Sequence, residues 1–370
     1  MDLTRTLIIK PSSLGDVIQA LPVAWALRSR HPGIRIDWLA MPACAGVVER
    51  LGAIDHVMLF DRRLYGQVWR SPRAMLSFAW FVARLRRRRY TAVLDLQGLL
   101  RSGFLAYASG APWRIGLSDA REGADRFYNR TVAVPAGVMS AVDRYMLAAE
   151  ALGVPPGAER RFDIAIPGAI AVASRNLLAD EGLAEGRPYV VIVPAARWAT
   201  KRWPEERFAA VAQRIDEQLG LVPVVVGAPA EREIASRMRQ MRGGRFVDLV
   251  GRTDVKTLAA VLRGAECVVT GDTGPMHLAA AVGRPVVAIF GPTDVDKTGP
   301  YGPGHVVLMD RADCARCERR SCLWEGQKHE LMCLRNISVD DVFEAVRRMI
   351  EGDARDRPEG GQGNEQEPPT

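Results

Sequence analysis

The sequence lacks any long hydrophobic run. No stretch approaches the roughly 18 consecutive apolar residues that a membrane-spanning helix needs. The first ten residues, MDLTRTLIIK, lead directly into a predicted strand and do not have the layout of a secretory signal peptide. We therefore expect a cytosolic protein. Because thiols stay reduced in that compartment, we expect its six cysteines to be reduced.

The sequence also lacks two common phosphate-binding signatures, G-x-G-x-x-G and G-x-x-x-x-G-K-[ST]. The first predicted strand is instead followed by KPSSLGD, residues 10–16, at the start of a predicted helix. This turn offers the hydroxyls of Ser12 and Ser13, the permissive backbone of Gly15 and the carboxylate of Asp16. An aspartate in such a position is commonly a helix cap, so Asp16 is either a cap or a functional group.

The chain is organised around residues 267–293, which read CVVTGDTGPMHLAAAVGRPVVAIFGPT. The pattern predicts a buried strand, a turn, a helix from about Pro275 and a second buried strand. Free amides near Met276 and His277, at the positive end of this helix, are typical of a phosphate site. The alternative is an ordinary turn in which His277 only packs. The other residues of this predicted site are Asp272, Thr273, Gly274 and Thr293.

A chain of 370 residues is too long for one ordinary core, so two domains are expected. Apolar runs alternate with helical patterns in both halves, which predicts two doubly wound α/β domains with a cleft between the carboxyl ends of their strands. The predicted limits are 1–165 for the first domain, 166–187 for a crossover, 188–350 for the second domain and 351–370 for a disordered acidic tail.

A second carboxylate and an amide follow the predicted strand 92–96. Asp95 and Gln97 belong to the stretch DLQGLLRS and come where the first sheet ends, so we expect them near the cleft. The next segment, with Arg114, Arg121, Arg126 and Arg130, is interpreted as irregular.

The net charge of +7 understates how basic the folded part is. From residue 351 onward the tail has six acidic residues and two arginines, so it contributes −4 and the first 350 residues carry +11. Arg84 and the run 86–89 close a segment that contains Met75, Leu76, Phe78, Trp80 and Phe81. Such a basic amphipathic helix can lie on an anionic membrane, or it can pack with its arginines in solvent.

Four motifs together resemble the heptosyltransferases of glycosyltransferase family nine. They are KPSSLGD at 10–16, DLQGLLRS at 95–102, KRWPEERF at 201–208, and DTGPMHL at 272–278 with the following Gly-Pro-Thr293. The resemblance implies the GT-B architecture, in which two Rossmann-like domains face each other across a cleft. It also implies inverting transfer of a heptose from ADP-heptose to the inner core of lipopolysaccharide, on the cytosolic face of the inner membrane and without a metal.

The resemblance also assigns roles to particular residues. It implies that Asp16 is the general base, with Ser12, Ser13 and Gly15 beside it. On the donor side it implies Lys201 and the turn from Asp272 to His277 for the diphosphate, and Glu231 for the ribose. Arg62, Arg63 and Arg121 resemble basic positions that meet a phosphorylated acceptor, on the same side as Asp95 and Gln97. Helix amides and a lysine can stabilise a leaving diphosphate without a metal.

Four cysteines, Cys314, Cys317, Cys322 and Cys333, occur in a loop after the last predicted strand. Four thiols within about twenty residues of a cytosolic protein indicate a structural zinc site. Only the first pair has C-x-x-C spacing, so a packed loop of free thiols is an equal alternative. Cys44 and Cys267 are interpreted as ordinary buried residues.

Other functions are compatible with the same plan. A transferase of this fold could use another nucleotide sugar, and a nucleotide-sugar epimerase can share the twin-domain architecture but would need no acceptor. A nucleic-acid-binding module is disfavoured because the basic residues are not interleaved with aromatic platforms. We therefore expect a nucleotide-sugar donor and a lipid-linked acceptor as partners, and no nucleic acid.

Overall fold

The computed structural model describes residues 2–137, 139–241, 245–310, 314 and 316–356, with side chains through residue 352. These residues form two six-stranded parallel sheets with helices in the connections. Strands buried on both faces explain the continuous apolar runs of the sequence. In the first strand, for example, Ile8 faces one hydrophobic cluster while Leu7 and Ile9 face another.

The first sheet occupies the N-terminal part of the chain and has the order β3-β2-β1-β4-β5-β6. Its strands are β1 Arg5–Ile9, β2 Arg35–Ala40, β3 His56–Leu59, β4 Ala92–Asp95, β5 Trp113–Leu117 and β6 Arg130–Val132. The helices of this part are α1 Leu14–Arg30, α2 Pro42–Val48, α3 Arg62–Tyr65, α4 Pro72–Arg87, α5 Leu100–Ala108, α6 Ala141–Glu150 and α7 Gly168–Asp180.

The second sheet repeats this order as β12-β11-β10-β7-β8-β9. Its strands are β7 Tyr189–Val193, β8 Val222–Val225, β9 Val247–Asp248, β10 Cys267–Gly271, β11 Val286–Phe290 and β12 Val306–Met309. Its helices are α8 Glu205–Leu219, α9 Arg232–Gln240, α10 Val255–Gly264, α11 Gly274–Ala281, α12 Val295–Thr298, α13 Met332–Arg335 and α14 Val339–Asp356.

Both sheets change direction of winding at an internal pair of strands, β1 and β4 in the first and β7 and β10 in the second. Ligands of open α/β sheets bind outside the carboxyl ends of the strands at such switch points. The predicted site residues Asp16, Lys201 and Asp272 follow three of these strands, and Asp95 is the last residue of β4. The topology therefore confirms the predicted α/β fold and places the candidate residues at two switch points.

The two halves touch through helices, of which α1 and α11 begin at these switch points. Helix α1 packs against α11, and α10 packs against both α2 and α7. The contact between α1 and α11 is close enough that a Cβ atom on Gly15 would lie 2.6 Å from the ring of His277. An ion pair between Lys256 Nζ and Glu49 Oε2, 2.8 Å apart, links α10 to the residue that follows α2.

Two interpretations of the sequence are wrong. The segment from Arg114 to Arg130 is not irregular, because it contains most of β5 and the start of β6 at the edge of the first sheet. Helix α14 includes residues 351–356, so the tail predicted to be disordered begins with six helical residues. Residues 357–370 lie outside the described part, and the predicted domain limits stay a prediction.

Candidate active site

Asp16 lies in the first turn of α1, directly after the switch-point strand β1. Its Oδ2 atom accepts hydrogen bonds from the Ser13 backbone N–H at 3.1 Å and from the Ser13 hydroxyl at 2.6 Å. The side chain is still 42% exposed. Asp16 therefore contributes to the helix start, as the cap interpretation requires, and keeps its second oxygen available to other groups.

The second oxygen of Asp16 faces Lys10 and Tyr145. Lys10 Nζ lies 3.7 Å from Asp16 Oδ1 although the lysine side chain is only 3% exposed. The Tyr145 hydroxyl donates to the same oxygen at 3.3 Å, and the ammonium also lies 4.8 Å from the Tyr145 ring centre. Burial acts to raise the pKa of Asp16, but the charge of Lys10 and the hydrogen bonds from Ser13 outweigh it, so this pKa is lowered. Asp16 is thus ionised at neutral pH.

His277 occupies the opposite side of this contact, in the first turn of α11. Its ring is buried against Gly15, which explains why position 15 has no side chain. Burial lowers the pKa of His277 despite the nearby carboxylates of Asp272 and Asp16, so the imidazole is neutral. The neutral ring stands between the acceptor-side carboxylate and the donor-side turn.

The donor-side turn is held together by Asp272. Its Oδ2 atom accepts a hydrogen bond from Lys201 Nζ at 2.5 Å and from the Thr293 hydroxyl at 2.7 Å. Lys201 Nζ also lies 4.5 Å from the ring centre of Trp198. The structure therefore brings together three predicted donor residues, and it shows that Lys201 has an internal counter-ion.

Helix α11 begins with amides that have no intrahelical acceptor. Its cap residue Thr273 makes no side-chain capping hydrogen bond among the described residues. The N–H groups of Gly274 and Met276 precede the first helical hydrogen bond, and Pro275 has no N–H. The Met276 side chain itself is fully buried in the core. Of the predicted donor residue Met276, only the backbone is thus in a position to bind an anion.

Glu231 lies in a short 3-10 turn after β8. Its Oε2 atom accepts a hydrogen bond from the Ala228 N–H at 2.7 Å and fills the space that a side chain on Gly227 would occupy. Among the described residues, no hydrogen bond or ion pair joins Glu231 to the cluster of Lys201 and Asp272. The Glu231 carboxylate is therefore held in place by its own turn, which is separate from the turns of Lys201 and Asp272 at the same edge of the sheet.

Asp95 is buried and fully engaged inside the protein. Its Oδ1 atom accepts from the N–H groups of Gln97 at 2.9 Å and Gly98 at 3.2 Å, and its Oδ2 atom accepts from the Tyr128 hydroxyl at 2.7 Å. Burial raises the pKa of Asp95, and these hydrogen bonds act in the opposite direction. Asp95 is only 1% exposed and holds the turn after β4.

A cavity of about 470 Å³ opens on the acceptor side of the cleft. It is lined by Ser12, Arg62 and Gln97 from the predicted set, and by Arg101 and Phe104. The side-chain carbonyl oxygen of Gln97 is buried and has no hydrogen-bond partner among the described residues. The structure leaves the other predicted acceptor-side residues outside the lining, namely Ser13, Gly15, Arg63, Asp95 and Arg121.

Sequence reasoning missed several charged and aromatic residues of the site. Lys10 belongs to the motif at 10–16, but the sequence pattern assigns no role to it or to Tyr145 and Trp198. The triplet from Asp294 to Asp296 has Asp-x-Asp spacing, which is also a metal signature. Here Arg316 Nη1 lies 3.4 Å from Asp294 and 2.9 Å from Asp296, so an arginine neutralises both carboxylates.

The four cysteines of the Cys loop, residues 314–333, line one small cavity. The Leu331 N–H donates to Cys322 Sγ at 3.4 Å. Burial, and to a smaller extent the neighbouring thiols, raise the pKa of Cys333 to about 11. Within the described residues, however, no three His, Cys, Asp or Glu side chains are placed to hold a metal ion. The residue types fit zinc, whereas all four cysteines are free thiols in the structure.

The Cys loop is attached to the donor side of the cleft. The Glu318 N–H donates to the Pro292 carbonyl at 2.7 Å, and the Thr200 hydroxyl donates to the Arg319 carbonyl at 3.0 Å. The Arg320 guanidinium lies 4.9 Å from the Trp198 ring that also meets Lys201. The loop therefore supports both neighbours of Asp272, the turn at Lys201 and the turn at Thr293.

A sequence model, Glycosyltransferase family 9 (heptosyltransferase), matches residues 79–328. This match covers more than half of the chain and includes the donor-side turn. The chain belongs to glycosyltransferase family 9. It is therefore a glycosyltransferase, as the sequence resemblance predicted. In the described part of the chain, no helix is long and apolar enough to cross a membrane.

Relatives in this family cover nearly the whole chain. Lipopolysaccharide heptosyltransferase 1 of Pseudomonas aeruginosa is 34% identical over 333 residues, which are 88% of this chain and 89% of that protein. The structure of E. coli heptosyltransferase WaaC with ADP is 29% identical, with a TM-score of 0.74 over 93% of this chain and 99% of WaaC. WaaC with ADP-2-deoxy-2-fluoro heptose gives a TM-score of 0.71 at 29% identity, over 94% and 99% of the two chains. The likeness confirms the GT-B architecture.

Proposed function

We propose that this protein transfers a heptose from ADP-heptose to the inner core of lipopolysaccharide, with inversion at the anomeric carbon. The names of its relatives support the reaction and the donor. The observation that carries the proposal is the direct contact of two helix starts across the cleft. One presents the ionised carboxylate of Asp16, and the other presents the free amides of α11.

On the acceptor side, Asp16 is the general base. The acceptor hydroxyl oxygen attacks the anomeric carbon as the bond to the diphosphate oxygen breaks, and the hydroxyl proton moves to Asp16. A carboxylate with a lowered pKa can still perform this step, because the hydroxyl becomes acidic late in the transition state. Lys10 and Tyr145 keep the carboxylate ionised and oriented.

On the donor side, the leaving ADP gains negative charge on its diphosphate. The Gly274 and Met276 amides, the positive end of α11 and the Lys201 ammonium stabilise that charge, so these groups favour the transition state over the ground state. The neutral His277 ring can donate one further hydrogen bond without neutralising Asp16. Glu231 is assigned to the ribose hydroxyls, which two carboxylate oxygens can accept from.

The acceptor enters the cavity lined by Arg62, Gln97 and Ser12. Inner-core sugars carry carboxylate and phosphate groups, which the guanidinium of Arg62 can bind in a bidentate manner. Arg63 and Arg121 stay proposed as further contacts to the acceptor. We also keep the division into domains 1–165 and 188–350, joined by 166–187, as part of this proposal.

A structural metal ion in the Cys loop is a separate part of the proposal. Four thiols around one cavity and an N–H donor to Cys322 support it, since tetrathiolate sites are typical of zinc. Cys333 would have to lose its proton on binding the ion. The metal would stabilise the loop, while no residue of the loop takes part in the transfer step.

One transfer assay tests the main proposal. ADP-heptose and UDP-, GDP- and dTDP-sugars are each combined with lipid A acceptors that carry no heptose or one heptose. Transfer from ADP-heptose and from none of the other nucleotide sugars supports the proposal. Transfer from another nucleotide sugar would show that the proposed donor is wrong. Conversion of a nucleotide sugar without any acceptor would instead show an epimerase.

A further inference from the structure

The segment 62–94 carries an unusual concentration of one charge. Between Asp61 and Asp95 it has nine arginines and neither aspartate nor glutamate. The segment forms α3, the loop that follows it, α4, a short connection and the first three residues of β4. A single-sign surface of this kind attracts polyanionic partners.

Large apolar side chains are exposed on the same segment. Trp69 in the loop is 95% exposed, and on α4 Leu76 is 67% and Trp80 is 60% exposed. Leu76 and Trp80 are one helical turn apart, with Arg73 one turn before them, so the three share one stripe of the helix. The opposite side of α4 is already used, since Phe81 and Leu85 are fully buried in the core.

This surface continues into the acceptor cavity. Phe78 of α4 lies 6.3 Å from Phe104 of α5, measured between ring centres. Phe104 and Leu100 are both partly exposed, and both line the cavity that Arg62 and Ser12 also line. Any partner that binds to α4 is therefore placed next to the acceptor cavity.

We propose that α4 and the loop before it dock on an anionic lipid bilayer, and that this docking brings a lipid-anchored acceptor to the cavity. The arginines bind lipid phosphates, while Trp69 and Trp80 enter the interface, where tryptophan is favoured. The stacking of Arg84 on Trp80, with 5.1 Å between the guanidinium and the ring centre, presents the cation and the ring together. The acceptor part rests on the proposed function, whereas bilayer binding stands on this surface alone.

The composition of the surface favours a bilayer over a nucleic acid. Leu76 and the exposed Met75 are aliphatic, and the phosphate backbone of a nucleic acid offers them no apolar environment. A bilayer offers an anionic surface and an acyl region a few ångströms below it, so it accommodates both properties of the segment.

The test uses the full chain and sedimentation with vesicles. Vesicles of phosphatidylcholine alone are compared with vesicles that also contain phosphatidylglycerol. The wild type should bind the anionic vesicles, and added salt should weaken the binding. Arg73→Gln with Arg87→Gln should lower the partition coefficient about fivefold for each arginine removed. In the variant with Leu76→Ser and Trp80→Ser, brominated lipid should quench the fluorescence of no tryptophan other than Trp69.

Matched controls are Val172→Ser and Arg263→Gln, exposed positions on α7 and α10. They should bind as the wild type does. Transfer to a soluble acceptor without acyl chains separates the two proposals, since docking variants should retain that activity. Equal wild-type binding to neutral vesicles, or equal losses in controls and docking variants, would overturn the docking surface. If a DNA duplex bound the protein and prevented it from binding vesicles, the partner of this surface would be a nucleic acid and not a lipid bilayer.

Discussion

The ammonium of Lys10 lies 3.7 Å from Asp16 Oδ1, in a place where the lysine is almost completely buried. Burial of a lone ammonium is unfavourable, so Asp16 and the face of Tyr145 stabilise Lys10 as much as Lys10 stabilises the ionised Asp16. The base of the proposed reaction is thus part of a charge pair and does not act as an isolated carboxylate.

Asp16→Asn should abolish most transfer activity. The amide keeps the shape of the side chain but cannot take a proton, so turnover should fall by roughly 10²- to 10⁴-fold. ADP affinity should stay near the wild-type value. The measurement is steady-state transfer together with calorimetric ADP binding. If Asp16 were only a cap, turnover would stay near normal and stability would change by about 1 kcal/mol.

Lys10→Met should move the acidic limb of the kcat/KM profile to higher pH. Without the ammonium, the pKa of Asp16 rises, so a larger fraction is protonated and inactive at mildly acidic pH. The other charged or titratable groups near Asp16, namely Tyr145, Arg144, His277 and Cys44, are unchanged. Because a buried lysine is risky to replace, Tyr145→Phe serves as a milder second variant. Unchanged pH profiles in both folded variants would contradict the positioning role.

The stability of the protein should also depend on Asp16 in acid. The folded-state pKa of Asp16 is lowered, so its contribution is fully present above the unfolded value of about 3.9. That contribution disappears as the pH falls through the folded pKa. The melting temperature of Asp16→Asn should therefore fall less than that of the wild type over this acidic range. Thermal denaturation from neutral to acidic pH measures the difference, and parallel curves would disprove it.

Lys201→Ala should weaken ADP binding about tenfold or more and leave adenosine binding nearly unchanged. The ammonium contributes a charged hydrogen bond to phosphate, and its loss also leaves Asp272 to repel the diphosphate. Adding Asp272→Asn should therefore recover part of the ADP affinity. Isothermal titration with both ligands tests this. Equal losses for ADP and adenosine would make Lys201 a structural residue.

Protein purified without chelator should contain about one zinc ion per chain, and Cys317→Ser should reduce that content. Loss of the ion should lower the melting temperature. Because the Cys loop contacts Pro292 and Thr200, the KM for the donor should rise while kcat changes less. Metal analysis decides the first point. Four freely titrating thiols in metal-free wild type would leave the cluster as packed cysteines.

Local patterns predicted the buried strands well but not the edge of the first sheet. β7 and β11 are continuous apolar runs, which are typical of strands buried on both faces. β6 has only three residues, two of them exposed, so its sequence has no apolar run to detect. Edge strands of this kind form because a neighbouring strand offers free backbone groups, which is tertiary information.

The residues of the site show the same difference between local patterns and tertiary contacts. Asp16 and Asp272 were predictable because each follows a strand at a sheet edge, whereas Lys201 was assigned only through the resemblance to the family. The partners that define their chemistry were not, since Tyr145 is 129 residues from Asp16 and Tyr128 is 33 residues from Asp95. Asp95 was therefore predicted to line the cleft, whereas a distant tyrosine and two turn amides occupy its carboxylate.

The missing side chain at position 15 sets how far the two halves can approach. An alanine methyl there would act as a wedge against the buried imidazole of His277, because 2.6 Å is well inside van der Waals contact. Overpacking of this kind costs about 1 to 3 kcal/mol, which exceeds the gain of at most about 1 kcal/mol that alanine brings to a helix interior. A single methyl at this position would therefore lower the melting temperature, and it would also hold the leaving group and the base too far apart for an in-line displacement.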